Sequence, residues 1–167
     1  MHPFESHIKT VPDFPKPGIQ FKDVSPLLKE RFQEVIEAMA APIDWSEIDH
    51  VVGVESRGFI LGAAMATLKG KGFIPVRKKG KLPPPVIEES YSLEYGTDTL
   101  EMGVNDCPGR ILLVDDVLAT GGTIKAAIRL CERNRMEVKA LSFLINLQFL
   151  NRMHQEKIRL HSVIDYI

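Results

Sequence analysis

Short apolar runs alternate along this chain with stretches in which apolar residues recur every three or four positions. The runs His50–Val54, Gly72–Val76, Arg110–Val114 and Val138–Asn146 predict strands, and a weaker run over His161–Ile164 predicts one more. Between them, Phe32, Val35, Ile36, Met39 and Ala40 line up on one face of a predicted helix, and Ile60, Leu61, Ala64, Met65 and Leu68 do the same on a second. Ile124, Ala127, Ile128 and Cys131 form a third stripe, with Lys125, Arg129 and Glu132 facing away. Strands alternating with helices predict an α/β fold, a central parallel sheet flanked by helices. Ile111 to Val114 is continuously apolar rather than alternating, as expected of a central strand buried on both faces.

Two segments break this alternation. Asp13-Phe14-Pro15-Lys16-Pro17-Gly18 is rich in turn formers and precedes any core element. Lys78 to Met102 opens with Gly80 and Pro83-Pro84-Pro85 and lacks helical periodicity. A stretch of that length between core strands is expected of a lid or binding loop. It has room for a two-stranded ribbon, with Val86–Tyr91 as one arm and Thr99–Met102 as the other.

Composition narrows the class. With 167 residues the chain suits a single domain, residues 1–167, with a core of its own. Lys and Arg total 21 against 22 Asp and Glu, for a net charge of -1, so neither nucleic acid nor a membrane is an expected partner. Cys107 and Cys131 form no CxxC pair and are expected to be reduced thiols, which points to the cytoplasm. Met1 to Thr10 has no apolar core of a signal peptide, and no apolar run is long enough to span a bilayer.

The most informative string runs from Ile111 to Thr123: a buried strand, the acids Asp115 and Asp116, a short loop, and Thr120-Gly121-Gly122-Thr123 opening a helix. In open α/β sheets ligands bind at the carboxyl ends of strands. Gly121 and Gly122 let successive N–H groups converge on one anion, the two threonines add hydroxyls, and the helix adds its positive end. A phosphate monoester fits that cradle. Asp115 and Asp116 would repel the phosphate, so their partners are sugar hydroxyls or Mg²⁺ held partly through water. Phosphate, diol and magnesium in a row describe a phosphorylated ribose. An ordinary capped turn with solvated acids is the competing reading. Val52-Gly53-Val54-Glu55-Ser56-Arg57-Gly58-Phe59 repeats the strand–turn–helix layout, with Arg57 a bidentate anion donor at the helix start. Arg77, Lys78, Lys79 and Lys81 form the one dense basic cluster, placed where the long segment leaves its strand.

Val-Asp-Asp-Val-Leu-Ala-Thr-Gly-Gly-Thr, residues 114–123, resembles the phosphoribosyl-pyrophosphate motif of the type I phosphoribosyltransferases, and of their adenine branch most closely. The similarity runs from Asp13 to about Asn146. It implies the type I phosphoribosyltransferase fold, with a hood over residues 10–26 and a flexible lid over 78–102. It further implies transfer of the phosphoribosyl group of phosphoribosyl pyrophosphate to adenine, giving AMP and pyrophosphate, with Mg²⁺ as cofactor and a homodimer as the assembly. Residue by residue, it puts Asp115 and Asp116 on the ribose and Ala119, Thr120, Gly121, Gly122 and Thr123 on its 5′-phosphate. Glu55, Ser56, Arg57, Arg77 and Lys81 fall to pyrophosphate, with an unusual peptide expected at Glu55–Ser56. Tyr91-Ser92-Leu93-Glu94-Tyr95-Gly96 is similar to the family's lid and makes Glu94 and Tyr95 the expected catalytic pair. Gln20, Phe21 and Lys22 fall to adenine, although Gln20 stands where an apolar residue is usual. No direct protein ligand to the metal is assigned; Asp115 or Asp116 are the candidates.

Ala119 carries no exchangeable proton, whereas enzymes acting on 6-oxopurines commonly place an Asp there. Two other functions fit the cradle: transfer to hypoxanthine, guanine or orotate, and a non-catalytic regulator that binds phosphoribosyl pyrophosphate. Ala119 and the lid string argue against the first. A regulator usually adds a DNA-binding helix pair, and only a short arm precedes Asp13.

Overall fold

The computed structural model describes residues 2–93, 96–104, 108–151, 153 and 158–167. Near the N-terminus, β1 (Lys9–Pro12) and β2 (Gln20–Asp23) form an antiparallel hairpin with Val11 opposite Phe21. Then come α1 (Ser25–Ala40), β3 (His50–Val54), α2 (Arg57–Lys69) and β4 (Gly72–Lys78). An antiparallel ribbon, β5 (Val86–Leu93) and β6 (Gly96–Gly103), precedes β7 (Gly109–Leu118), α3 (Gly122–Arg133), β8 (Met136–Leu147) and β9 (Arg159–Tyr166). Among the described residues one seven-stranded sheet runs in the order β5-β6-β4-β3-β7-β8-β9.

The five strands β4, β3, β7, β8 and β9 are parallel, as the alternation predicts. The sheet as a whole is mixed, because the antiparallel ribbon extends that parallel centre at one edge. The ribbon does not stand apart as a loop: β6 joins the edge of β4 antiparallel, with Arg77 opposite Glu101 and Lys78 opposite Leu100. β5 is the polar, largely exposed edge, whereas β6 buries Leu100, Glu101 and Met102.

Side chains of the central strands point alternately to the two faces. Leu112 and Val114 of β7 pack with α1 and α2 against Leu61 and Met65, while Ile111 and Leu113 pack with α3 against Ile124 and Ala127. Cys131 is fully buried in the second cluster, and burial pushes its thiol up to about 12. Phe32, Ile60 and Leu68, expected inside, are instead 38%, 51% and 50% exposed. Arg31 interrupts α1 with non-helical angles, φ -132 and ψ 30, just before Phe32, and Phe32 and Leu68 line an apolar groove between α1 and α2 that is open to solvent. α2 buries only the Leu61–Met65 side of its stripe.

Candidate active site

β3 and β7 are parallel neighbours from which the chain departs in opposite directions, through α2 to β4 on one side and through α3 to β8 on the other. Beyond their carboxyl ends lies the crevice in which such sheets bind ligands. β7 runs further than expected: its ladder with β8 continues past Asp115, opposite Phe143, to Leu118, opposite Asn146. The two acids are therefore held inside a paired strand rather than in the loop after it.

The two helices facing the crevice begin without a capping side chain. Gly121 precedes α3 at φ 86, a conformation that glycine adopts freely, and Ser56 precedes α2; neither side chain bonds a first-turn N–H. Those donors remain available to an anion. At α3 they open on a cavity of about 70 Å³ walled by Asp115, Ala119, Thr120, Gly121, Gly122 and Thr123. Gly58 allows α2 to lie directly on β7: a Cβ there would sit 2.8 Å from the Val114 carbonyl and 3.0 Å from Asp115 Oδ1.

Asp116 is 5% exposed, and its Oδ2 lies 2.6 Å from Arg57 Nε without an aligned hydrogen bond. Asp115 Oδ1 accepts the Asp116 N–H at 2.9 Å. Burial, and then the neighbouring Asp116 carboxylate, hold Asp115 well above the usual carboxylate range. The Arg57 guanidinium also lies 5.0 Å from the centre of the Phe21 ring, which meets Phe14 edge-on at 5.1 Å. One arginine thus touches both Asp116 of β7 and the aromatic face of the hairpin.

On the side of β4, the peptide Glu55–Ser56 is cis, at the position singled out from sequence. Glu55 Oε2 accepts from the Lys78 N–H at 2.9 Å and Arg77 Nε at 3.3 Å, so this acid faces the basic strand end rather than an anion. Lys78 pairs with Asp98, and Lys79 with Glu88 at 3.0 Å. Among the described residues the Lys81 ammonium has no ion pair, which distinguishes it within the basic cluster. Across the crevice, the ribbon is fastened to α3: Glu89 pairs with Arg129 at 2.5 Å and Arg133 at 2.9 Å. Glu94 and Tyr95, the expected catalytic pair at the ribbon's tip, lie outside the described residues.

A second cavity, of about 510 Å³, opens between the hairpin and the carboxyl ends of β7 and β8. Ile19, Gln20 and Phe21 form one wall, Asp116 and Ala119 the floor, and Leu147, Phe149 and Leu150 the far wall. Gln20 is exposed at its rim. The Lys22 ammonium is engaged elsewhere, donating to Thr10 Oγ1 at 2.9 Å and lying 4.3 Å over the Tyr166 ring.

A small polar cradle, the adjoining acids Asp115 and Asp116, and a largely apolar cavity thus follow one another along the crevice. Residues 23–165 match the phosphoribosyl transferase domain family. Adenine phosphoribosyltransferase of Synechococcus sp. is 54% identical over 86% of this chain and 85% of its own. The crystal structure of adenine phosphoribosyltransferase from Rhodothermus marinus superposes with a TM-score of 0.89 at 48% identity, covering 98% of this chain and 96% of the other. That of the Saccharomyces cerevisiae enzyme, solved with an imino-altritol bisphosphate and adenine, does so at 0.87 and 35% identity over 96% of each chain.

The chain is a phosphoribosyltransferase.

In this phosphoribosyltransferase the described residues include no cluster of three side chains able to cage a metal. The buried, hydrogen-bond-poor Asp116 Oδ2 next to Asp115 does suit a Mg²⁺ that keeps most of its ligands as water and substrate oxygens. The far wall of the larger cavity was missed from sequence. Leu147 ends β8 and Phe149 and Leu150 follow it as an ordinary apolar tail, and their only signal is that Phe149 and Leu150 stay 62% and 47% exposed once folded. Asn151 was missed too: its Nδ2 donates to the carbonyls of Ala119 at 2.8 Å and Leu147 at 2.9 Å, tying the cradle loop to that wall.

Proposed function

We propose that this phosphoribosyltransferase moves the 5-phosphoribosyl group from phosphoribosyl pyrophosphate to adenine, giving AMP and pyrophosphate in purine salvage. The observation that carries this reading is the order of the sites: the cradle after β7, the acids, and a base cavity floored by Ala119. Relatives named adenine phosphoribosyltransferase that match nearly the whole chain support the choice of base. Ala119 offers no acid to a 6-oxopurine, and Asp116 beside it on the floor is held against the Arg57 guanidinium.

In this reading Thr120 to Thr123 hold the 5′-phosphate, with Ala119 beside it, and Asp115 and Asp116 take the ribose hydroxyls. Arg57, Arg77 and Lys81, with the main chain at Glu55 and Ser56, receive the pyrophosphate. Its bond to the ribose carbon breaks, that carbon gains oxocarbenium-like character, and adenine N9 bonds to it. Glu94 manages the proton that adenine gives up, beside Tyr95, while the closed lid excludes water. Mg²⁺, placed beside Asp115 or Asp116, would neutralise phosphate charge. Gln20, Phe21 and Lys22 hold the purine, Phe21 through its ring and the others through their main chain.

Residues 1–167 act as one domain, with the hood at 10–26 and the lid at 78–102. We place the enzyme in the cytoplasm as a homodimer, with no nucleic-acid or membrane partner. No helix among the described residues is long and apolar enough to cross a membrane. The apolar groove of about 460 Å³ between α1 and α2, including Phe32 and Leu68, supports a face for a second copy.

The test is AMP formation from adenine, phosphoribosyl pyrophosphate and Mg²⁺, with hypoxanthine, guanine and orotate in parallel. Adenine alone should react, and Glu94→Ala should lower kcat about 10²- to 10⁴-fold. Binding of phosphoribosyl pyrophosphate without turnover of any base would replace this reading with the regulator.

A further inference from the structure

One buried acid beside the basic cluster has no part in the transfer just described. Glu101 lies on β6 opposite Arg77 and is 2% exposed. Surrounded by cations, its carboxylate makes no ion pair with any of them among the described residues. It accepts three main-chain N–H groups instead: Gly80 at 3.0 Å on Oε2, and Lys81 at 2.7 Å and Leu82 at 2.6 Å on Oε1. Gly80, at φ 83, lets these successive N–H groups converge, the geometry of a backbone anion nest. Here the nest is filled by the protein's own carboxylate. Burial alone would favour the protonated acid, but the three amides outweigh it and hold Glu101 below the usual range, ionised at neutral pH.

The turn wound around that anion carries the cation left over from the pairings at the strand end. Lys78 and Lys79 are tied to Asp98 and Glu88, whereas Lys81 has its N–H fixed by Glu101 and its ammonium unpaired among the described residues. The Lys81 carbonyl in turn accepts Arg77 Nη1 at 3.3 Å. Two of the three cations assigned to pyrophosphate, Arg77 and Lys81, therefore meet at one turn, and Glu101 accepts the N–H groups that shape it.

We propose that Glu101 is a positioning residue, whose buried carboxylate holds the Gly80–Leu82 turn so that Lys81 and Arg77 meet the pyrophosphate group of the substrate. This rests on the phosphoribosyl-transfer reading above. A glutamine cannot replace it, because one of its two terminal atoms is itself a donor and would oppose a main-chain N–H.

The experiment measures KM for phosphoribosyl pyrophosphate and for adenine, kcat, and product inhibition by pyrophosphate. It compares wild type, Glu101→Gln, Glu101→Asp, Lys81→Ala and the Glu101→Gln/Lys81→Ala double variant. Glu101→Gln should raise KM for phosphoribosyl pyrophosphate and the pyrophosphate inhibition constant together by about tenfold, leaving KM for adenine within about twofold. Glu101→Asp should recover part of that loss. In the Lys81→Ala background, Glu101→Gln should cost less than about threefold more, because only the part acting through Arg77 is left. Unchanged constants in a folded Glu101→Gln, equal rises for both substrates, or fully multiplicative effects would each overturn the proposal. If Glu101→Gln does not fold, the same criteria apply to Glu101→Asp. If the wild type fails to use adenine, the choice of base falls by itself. Calorimetric titration with pyrophosphate and magnesium chloride then decides Glu101: about tenfold weaker binding in the variant sustains it, and equal binding refutes it.

Discussion

Asp115 combines a functional position with a stability cost. Its folded pKa is raised, by burial first and by Asp116 second, so the protonated side chain is the form the fold favours. That contribution is fully present below the unfolded pKa of about 4 and is lost as pH rises through the folded value. Asp115→Asn cannot ionise. It should raise Tm relative to wild type at pH 8, by about 2–4 °C for each kcal/mol recovered, and the gain should vanish near pH 4. The same variant should lose about 10- to 100-fold in kcat/KM for phosphoribosyl pyrophosphate, since a charge-assisted acceptor for the ribose has gone. A thermal melt at each pH, beside steady-state kinetics, checks both. Wild type and variant melting alike at pH 8 would show that Asp115 carries no such strain.

Among the elements, the contact of α2 with β7 decides how close the two anion-facing turns can come. At Gly58 an added Cβ would meet backbone, the Val114 carbonyl at 2.8 Å, and also Asp115 Oδ1 at 3.0 Å. Gly58→Ala should therefore cost about 1–3 kcal/mol and at least about tenfold in kcat/KM for phosphoribosyl pyrophosphate, because it pushes α2 off the strand that holds the acids. Gly70, at φ 62 with nothing within 4 Å of an added Cβ, is the control: Gly70→Ala should cost about 1 kcal/mol and leave turnover unchanged. Chemical denaturation and kinetics on the two variants separate packing from backbone preference. His50–Val54 was legible from sequence to the residue, because every position after His50 is buried and apolar or glycine. The carboxyl end of β7 and the hairpin of β1 and β2 were not: Asp115 and Asp116 interrupt the apolar run, and the hairpin is paired through main chain while its side chains stay polar or partly exposed. The ribbon was legible in outline, its expected arms Val86–Tyr91 and Thr99–Met102 lying inside β5 and β6.

For the molecule as a whole, the net charge of -1 hides a strong local asymmetry. The cations of residues 77–81 sit at one end of β4 and are steadied from behind by Glu55, Asp98 and Glu101. The core is equally polarised in its chemistry. Cys131 lies sealed between α3 and the sheet with its thiol raised to about 12, by burial first and by Glu132 second. A thiol reagent at pH 8 should leave Cys131 unmodified in the native protein and label it fully in denaturant, read by mass spectrometry of the peptide that contains it. Rapid labelling in the native state would mean that α3 opens on its own.

The fold class, the cradle and the paired acids were readable from the chain because they are local: an apolar strand, two carboxylates and a glycine turn follow one another within Ile111–Thr123. What the tertiary structure alone decided is which distant residues share a site. Arg57 bridges Asp116 and Phe21, Leu147, Phe149 and Leu150 wall the larger cavity, and Glu101 accepts the main-chain N–H groups of the Gly80–Leu82 turn. Each of these depends on strand order and register, which arise from packing between segments far apart in sequence.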